Sequence, residues 1–279
     1  VIRWTTAGAV ATPRALQIRV GARVDGRLRA GAPTPSRALT IDEVARNVEH
    51  FTVRREGPRA RAVHTLVLSA VGDADARQLA AIVREARDHH IRRVVVHAAR
   101  DVVAVREGPL GHAADQVVAV VDGSSDEPVP AGVLASVPLN EATVAELPSL
   151  LPRLASAAEV VFTWPFPVPG SPPPPPAPTC MAAVRSVAPR LTVPWGVKGL
   201  PVCVWGDDVP FAPRRTSNRF YVDAEHQLAD ALMFFPDVVA WAKPDTCRRC
   251  RVDVHCDGAV GAWLDQGLLP RLEPLEEAP

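Results

Sequence analysis

The sequence has no apolar run approaching the ~20 residues that a membrane-spanning helix needs. It carries no net charge either: 31 Lys and Arg balance 31 Asp and Glu. Nothing global therefore draws it to nucleic acid or to an anionic membrane. Tyrosine occurs once, a bias without functional weight. No Walker loop, G-x-G-x-x-G or Ser-His-Asp order is present, which argues against P-loop, Rossmann dinucleotide and triad-hydrolase chemistry. The opening residues, VIRWTTAGAVATPRALQ, hold an apolar core too short and too mixed for a secretory signal. They begin at Val1, which leaves room for an upstream piece. The expectation is a soluble, cytoplasmic protein without a membrane partner.

Cysteine is sparse but unevenly placed. Four of the five cysteines lie in the last third of the chain, and three of these, Cys247, Cys250 and Cys256, fall within ten residues as C-x2-C-x5-C. The odd count and the lack of a secretory context argue against a disulfide framework. Thiolates bind zinc or iron in fours. A C-x2-C turn brings two sulfurs to one centre, Cys256 can return as a third, and Cys203 in GLPVCVWG can be the fourth if it ends a strand beneath that turn. His255 offers another fourth ligand, in a Cys3His zinc site. The spacing alone allows either metal.

The rest of the chain alternates strand and helix. RALQIRV, residues 14–20, reads as a strand; TIDEVARNVEHF follows as a helix capped by Thr40 with Glu43 three positions on. Strands are expected at 62–71, in IRRVVVHAA, and at 117–123, 132–140 and 159–166, as continuous apolar runs suited to a buried parallel sheet. Helices are expected over 73–90, weakly over 101–116 where Gly108 and Pro109 interrupt, over EATVAELPSLLPRLASA, and over TCMAAVRSVAPRL after a polyproline loop at 167–178. GLPVCVW reads as a last short strand, and a helix is expected around DAEHQLADALMFF. Six alternations with short joins argue for a parallel α/β sheet or partial barrel.

Six βα units followed by a cysteine-rich tail resemble the radical S-adenosylmethionine (SAM) proteins that carry a C-terminal auxiliary-cluster extension of the SPASM or Twitch type. The resemblance covers most of the chain and is strongest in GLPVC, NRFYVDAEHQ and AKPDTCRRCRVDVHCDG. It implies an α/β fold with a partial (βα)6 TIM-like barrel over residues 14–206 and a SPASM/Twitch-like iron–sulfur tail over 207–279. It also implies Cys203, Cys247, Cys250 and Cys256 as ligands of one auxiliary 4Fe-4S cluster. A full SPASM pattern has a further cysteine where Val260 stands, so one auxiliary cluster is implied rather than two.

The family's catalytic half departs from the pattern. A working member has C-x3-C-x2-C in the loop after the first strand; here Val24, Leu28 and Gly31 occupy that spacing, and none can bind iron. The GGEP-like turn that contacts the methionine end of SAM becomes SAVGD, Ser69 to Asp73. The resemblance thus implies a non-catalytic or altered member, acting with a peptide or an enzyme partner in peptide or natural-product modification. Two alternatives stand beside it: an active enzyme that keeps SAM binding at the barrel mouth, and a Cys3His zinc module for RNA or protein.

Other residues carry less. His89 and His90 read as a solvated helix end, with His64 and His97 on strands, and Cys180 as core. Arg248, Arg249 and Arg251, with Arg214, Arg215 and Arg219 upstream, would offset an anionic cluster, lie in solvent, or meet phosphates. Trp164, Pro165 and Phe166 are expected at the barrel mouth, where α/β folds bind ligands.

Overall fold

Alternation within the strands decides the architecture. The computed structural model describes residues 2–4, 13–22, 35–53, 63–72, 76–123, 125–165, 173–206, 219–234, 241–253, 256 and 258–275. The N-terminal strand β1 (Ile2–Trp4) precedes β2 (Ala15–Arg19), α1 (Ile41–Thr52), β3 (Thr65–Ser69), α2 (Ala76–Asp88) and β4 (Arg93–Ala98). Then come α3 (Val102–Glu107), α4 (Pro109–Ala113), β5 (Gln116–Val120), β6 (Leu134–Pro138), α5 (Glu141–Leu154), β7 (Glu159–Thr163), α6 (Ala177–Val187) and β8 (Trp195–Lys198). The chain ends with α7 (Val202–Trp205), β9 (Arg219–Val222), β10 (Leu232–Phe234), β11 (Trp241–Pro244), β12 (Ala259–Val260) and α8 (Gly261–Asp265).

Among the described residues the main sheet has nine strands in the order β10-β9-β2-β3-β4-β5-β6-β7-β8. All neighbours pair in parallel except β10, which runs antiparallel to β9. The parallel array therefore holds eight strands rather than the six units read from the sequence. On one face Leu16, Ile18, Leu66, Leu68, Val94 and Val96 join the buried sides of the helices in one continuous core. The residues between them point to the opposite face, where Val67, Val95, Val118 and Leu134 form a separate small cluster.

Local sequence explains where the helices begin and end. Thr40 accepts the Glu43 amide while the Glu43 carboxylate accepts the Thr40 amide, so the capping box forms as the sequence predicts. Asn140 and Thr143 make an equivalent reciprocal cap on α5, a helix that passes through Pro148 and Pro152 while burying Leu147, Leu150 and Leu154. Gly108 and Pro109 divide α3 from α4. No helix among the described residues is long and apolar enough to cross a membrane.

Two local expectations need correction. The last strand of the parallel run is β8, in Trp195–Lys198; GLPVCVW instead forms a turn and the short helix α7. Pro201 at the N-cap starts that helix in the conformation its ring already favours. No helix spans DAEHQLADALMFF. The Asp223 carboxylate accepts the amides of Glu225 and His226 at 3.1 and 2.9 Å, and the resulting turn reverses the chain so that β10 pairs back on β9. Side chains of this type compete with helix wherever they can satisfy the following amides themselves.

The boundary placed at 206/207 opens onto residues 207–218, which lie outside the described residues. Beyond it, β9 pairs with β2 in the main sheet. A second, three-stranded sheet has the order β1-β11-β12, with Ile2 opposite Pro244 and Trp241 opposite Val260. The two ends of the chain therefore meet beside the cysteine turn. Ala259, Val260, Trp263, Leu269 and Leu272 belong to the same buried core as the helices.

Candidate metal centre

The cysteine turn is built between β11 and β12. Cys247 lies in a 3-10 turn, Asp245–Arg249, that leaves β11 at Pro244. The Cys250 amide donates to the Cys247 carbonyl at 3.0 Å, the tight closure that a C-x2-C spacing allows. Cys256 follows, its amide bonded to the Val252 carbonyl at 2.9 Å. The chain then enters β12 through Gly258, at φ +82°. A Cβ there would stand 2.4 Å from the Ala242 carbonyl oxygen, so only glycine lets β12 close on β11. The Gly258 amide also donates to Cys256 Sγ at 3.4 Å.

Cys203 reaches this turn from the far side of the sequence, on α7 rather than at the end of a strand. All four cysteines are free thiols of intermediate burial. The Cys203 thiol is pushed up to about 12 by burial first, and then by the charges of Cys256, Cys247 and Cys250, while the Glu273 backbone hydrogen-bonds it and opposes the rise. Cys203 thus lies within electrostatic reach of the three cysteines of the turn. The Cys247 thiol is also raised, by burial and then by Cys250, Cys256 and Asp253, with Lys243 opposing.

The gathering stops short of a closed shell. Among the described residues, no group of three or more His, Cys, Asp or Glu side chains is placed to hold a single metal ion. A tetrahedral zinc at 2.3 Å from each sulfur needs its thiolates within about 4 Å of one another. A four-iron cluster interposes its own bulk and seats its ligands wider apart. An all-thiolate donor set with an amide donating to one sulfur suits such a cluster chemically. His255 lies outside the described residues, and the Cys3His alternative with it.

Two supporting residues were missed by sequence reasoning. Lys243 is buried at 8% exposure and holds Asp253 through Nζ–Oδ1 at 3.0 Å. Its parity on β11 hid it, since a lysine in so short a strand reads as surface. Glu273 belongs to the C-terminal segment, which folds back so that Arg251 N–H bonds the Leu275 carbonyl at 2.9 Å. Among the described residues, the exposed Arg248 makes a long pair with Asp245, at 3.7 Å. Arg214 and Arg215 lie outside the described residues.

The second face of the sheet is polar at the carboxyl ends of its strands. Buried Arg19, Ser69, His97 and Ser136 stand there with Thr163 and Lys198. Arg219 donates to Gln17 Oε1 at 2.8 Å, and Gln17 donates to Ser69 Oγ at 3.5 Å. Ser136 and Thr163 hydroxyls lie 3.4 Å apart. In SAVGD, Ala70 takes φ +55° and the Val71 amide bonds the His97 carbonyl at 3.2 Å; Asp73 lies outside the described residues. Buried Asp223 holds His226 Nδ1 at 2.8 Å, and its Oδ2 has no partner among the described residues. This Asp-x-x-His pair was missed, because the segment read as a helix.

The remaining sequence candidates fall into place simply. Trp164 is 2% exposed and packs in the helix-side core against Trp263, with ring centroids 6.0 Å apart, so it is not a ligand platform. Cys180 is fully buried, as expected of a core residue, and its thiol is pushed up to about 11 by burial. His89 and His90 are exposed after α2. Val24, Leu28, Gly31 and Phe166 lie outside the described residues. Compared with protein-family models, with curated proteins and with solved structures, the chain gave no match.

Proposed function

We propose that this chain is a radical-SAM-like iron–sulfur protein that binds one auxiliary 4Fe-4S cluster through Cys203, Cys247, Cys250 and Cys256 and does not cleave SAM. One observation carries the reading. Cys203, remote in sequence and set on its own helix, lies within electrostatic reach of the three cysteines of the turn. A local zinc turn would not require it. When bound, the cluster would supply a structural or electron-transferring centre. The protein's own residues then have definable tasks: Lys243 supplies buried positive charge beside the anionic site, the Gly258 amide donates to Cys256, and the second sheet presents the turn.

The barrel-like part of the reading is supported by the second face of the sheet. It is buried at Gln17, Arg19, Val95 and Ser136 although the helices pack on the other face. A parallel sheet that curls on itself, in the manner of a partial TIM-like barrel, hides such a face. Without the C-x3-C-x2-C ligands, the function lies in binding a peptide substrate or a catalytic enzyme partner.

A second reading, an enzyme acting at the strand ends of the second face, is favoured by the collected Arg19, Ser69, His97, Thr163 and Lys198. Calorimetry with SAM on anaerobically reconstituted protein separates the two. The first reading expects no micromolar SAM binding and no 5′-deoxyadenosine. Both appearing together would replace it with the second.

A further inference from the structure

At the opposite ends of the strands, away from the cysteine turn, a cleft of about 690 Å³ opens between the starts of β4, β5, β6 and β7 and the α3–α4 pair. Its walls carry Arg92, Arg93 and Arg106. Of its two acids, Asp115 is already engaged: its Oδ2 accepts the Val94 amide at 2.6 Å and Arg87 Nη2 at 2.9 Å. Glu159 is the other. Arg93 donates to Gln116 Oε1 at 3.1 Å, a neutral acceptor, and its charge also acts on Asp115, which Arg87 already pairs. The guanidiniums of Arg92 and Arg106 make no hydrogen bond or ion pair among the described residues; the Arg92 backbone amide bonds the His64 carbonyl at 2.8 Å.

The β5–β6 link borders this cleft at Gly132. The link from β5 to β6, residues 121–133, carries no helix among the described residues. It ends at Gly132, at φ +77°, where a Cβ would stand 3.7 Å from Arg106 Nη2. The Arg106 guanidinium thus lies over a residue with no side chain. Arg106 is in the last turn of α3, and Arg92 follows the end of α2; helix C-termini favour cations. That favours the charges of Arg92 and Arg106, whereas Arg93 stands on β4 and acts on Asp115. It supplies neither Arg92 nor Arg106 with a partner.

We propose that this cleft is a binding site for a phosphoryl anion, carried by a small molecule and held by Arg92, Arg93 and Arg106. Guanidinium forks match phosphate oxygens in bidentate geometry. A multiply charged phosphoryl group matches three guanidiniums facing one unengaged carboxylate, whereas a single carboxylate would leave most of that charge unmet. The site is independent of the metal centre and of whether SAM binds.

The test is calorimetric titration of the full chain at low salt with inorganic pyrophosphate, a nucleoside diphosphate and citrate. A single saturable site of sub-millimolar affinity is expected for pyrophosphate. Tighter binding of the nucleoside diphosphate assigns a nucleotide ligand, and equal binding assigns the bare phosphoryl group; both support the site. Arg92→Gln/Arg106→Gln should weaken binding by roughly tenfold or more, with the iron content unchanged. Should that pair unfold, Arg92→Lys and Arg106→Lys singly keep the charge, remove the fork and should each weaken binding several-fold. Absence of saturable binding, binding unaltered in these variants, or citrate binding as tightly as pyrophosphate would overturn the proposal.

Discussion

Trp263 donates its indole N–H to the carbonyl of Pro165, 3.1 Å away, and so fastens the helix after the cysteine turn to the end of β7. The same ring packs at 4% exposure against Trp164. Close by, the Ala177 amide bonds the Leu268 carbonyl at 2.8 Å. The turn that carries three of the cysteines is thereby held to the main sheet, and the fourth lies on α7, just after β8 of that sheet. Its position relative to Cys203 depends on this join.

Trp263→Ala should accordingly cost about 3–5 kcal/mol in denaturant unfolding. Trp263→Phe, which keeps most of the ring and loses the N–H, should cost only about 1 kcal/mol. Hydrogen exchange of the alanine variant should show lost protection in β12 and in the strand end around Thr163 together. Loss confined to residues after 241 would mean that the tail folds as a unit by itself.

Gly258→Ala should be worse than its size implies. The residue combines φ +82° with a 2.4 Å approach to the Ala242 carbonyl oxygen. The cost is on the order of 1–3 kcal/mol, and the Gly258 amide is moved away from Cys256 Sγ. Metal content should fall in parallel with the shift in thermal midpoint. An alanine variant with unchanged melting and full metal would contradict the close packing of β12 on β11.

The α/β alternation was legible because buried parallel strands read as continuous apolar runs, and Val94 to Val96 or Val117 to Val121 look like nothing else. Caps were legible too, since Thr40 and Glu43 act within four residues. What was lost depended on distance or on competition. Nothing in Ile2–Trp4 announces pairing with Trp241–Pro244 across the whole chain. Trp195–Lys198 hid behind Gly196 and flanking prolines, while the apolar GLPVCVW looked more strand-like and is not. DAEHQLADALMFF has helical spacing, but Asp223 takes the following amides first. At the proposed site, the cysteine spacing was legible as a pattern; buried Lys243 and the Glu273 backbone were not, because both act through tertiary placement.

Glu43 supplies a pH signature. Its carboxyl is held well below the usual carboxylate range by Arg37, 2.7 Å away, and by the Thr40 amide. A depressed folded value contributes stability above the ordinary glutamate pKa of about 4.3 and loses it as pH falls further. Glu43→Gln should therefore destabilise the protein at pH 7, and its deficit should shrink steadily below about pH 4. A deficit of constant size across that range would show that the charge contributes nothing.

Thiol chemistry checks the burial of the metal-free site. With Cys203 pushed up to about 12 and Cys180 to about 11, both should alkylate slowly at pH 8 in folded, metal-free protein and fast once unfolded. A raised folded value favours the native state below the ordinary thiol pKa of about 8.5 and withdraws that contribution as pH rises toward the folded one. Metal-free protein should thus lose stability above about pH 9. Metal should protect Cys203 and leave Cys180 unchanged. Rapid labelling of Cys203 in the folded metal-free protein at pH 8 would contradict its placement.

The most direct measurement is iron, acid-labile sulfide and zinc analysis of protein purified without oxygen, for the parent chain, Cys203→Ala and His255→Ala. The proposed centre predicts iron and sulfide in equal amounts in the parent and in His255→Ala, and their loss or severe depletion in Cys203→Ala. Stoichiometric zinc without sulfide, kept in Cys203→Ala and lost in His255→Ala, would contradict it.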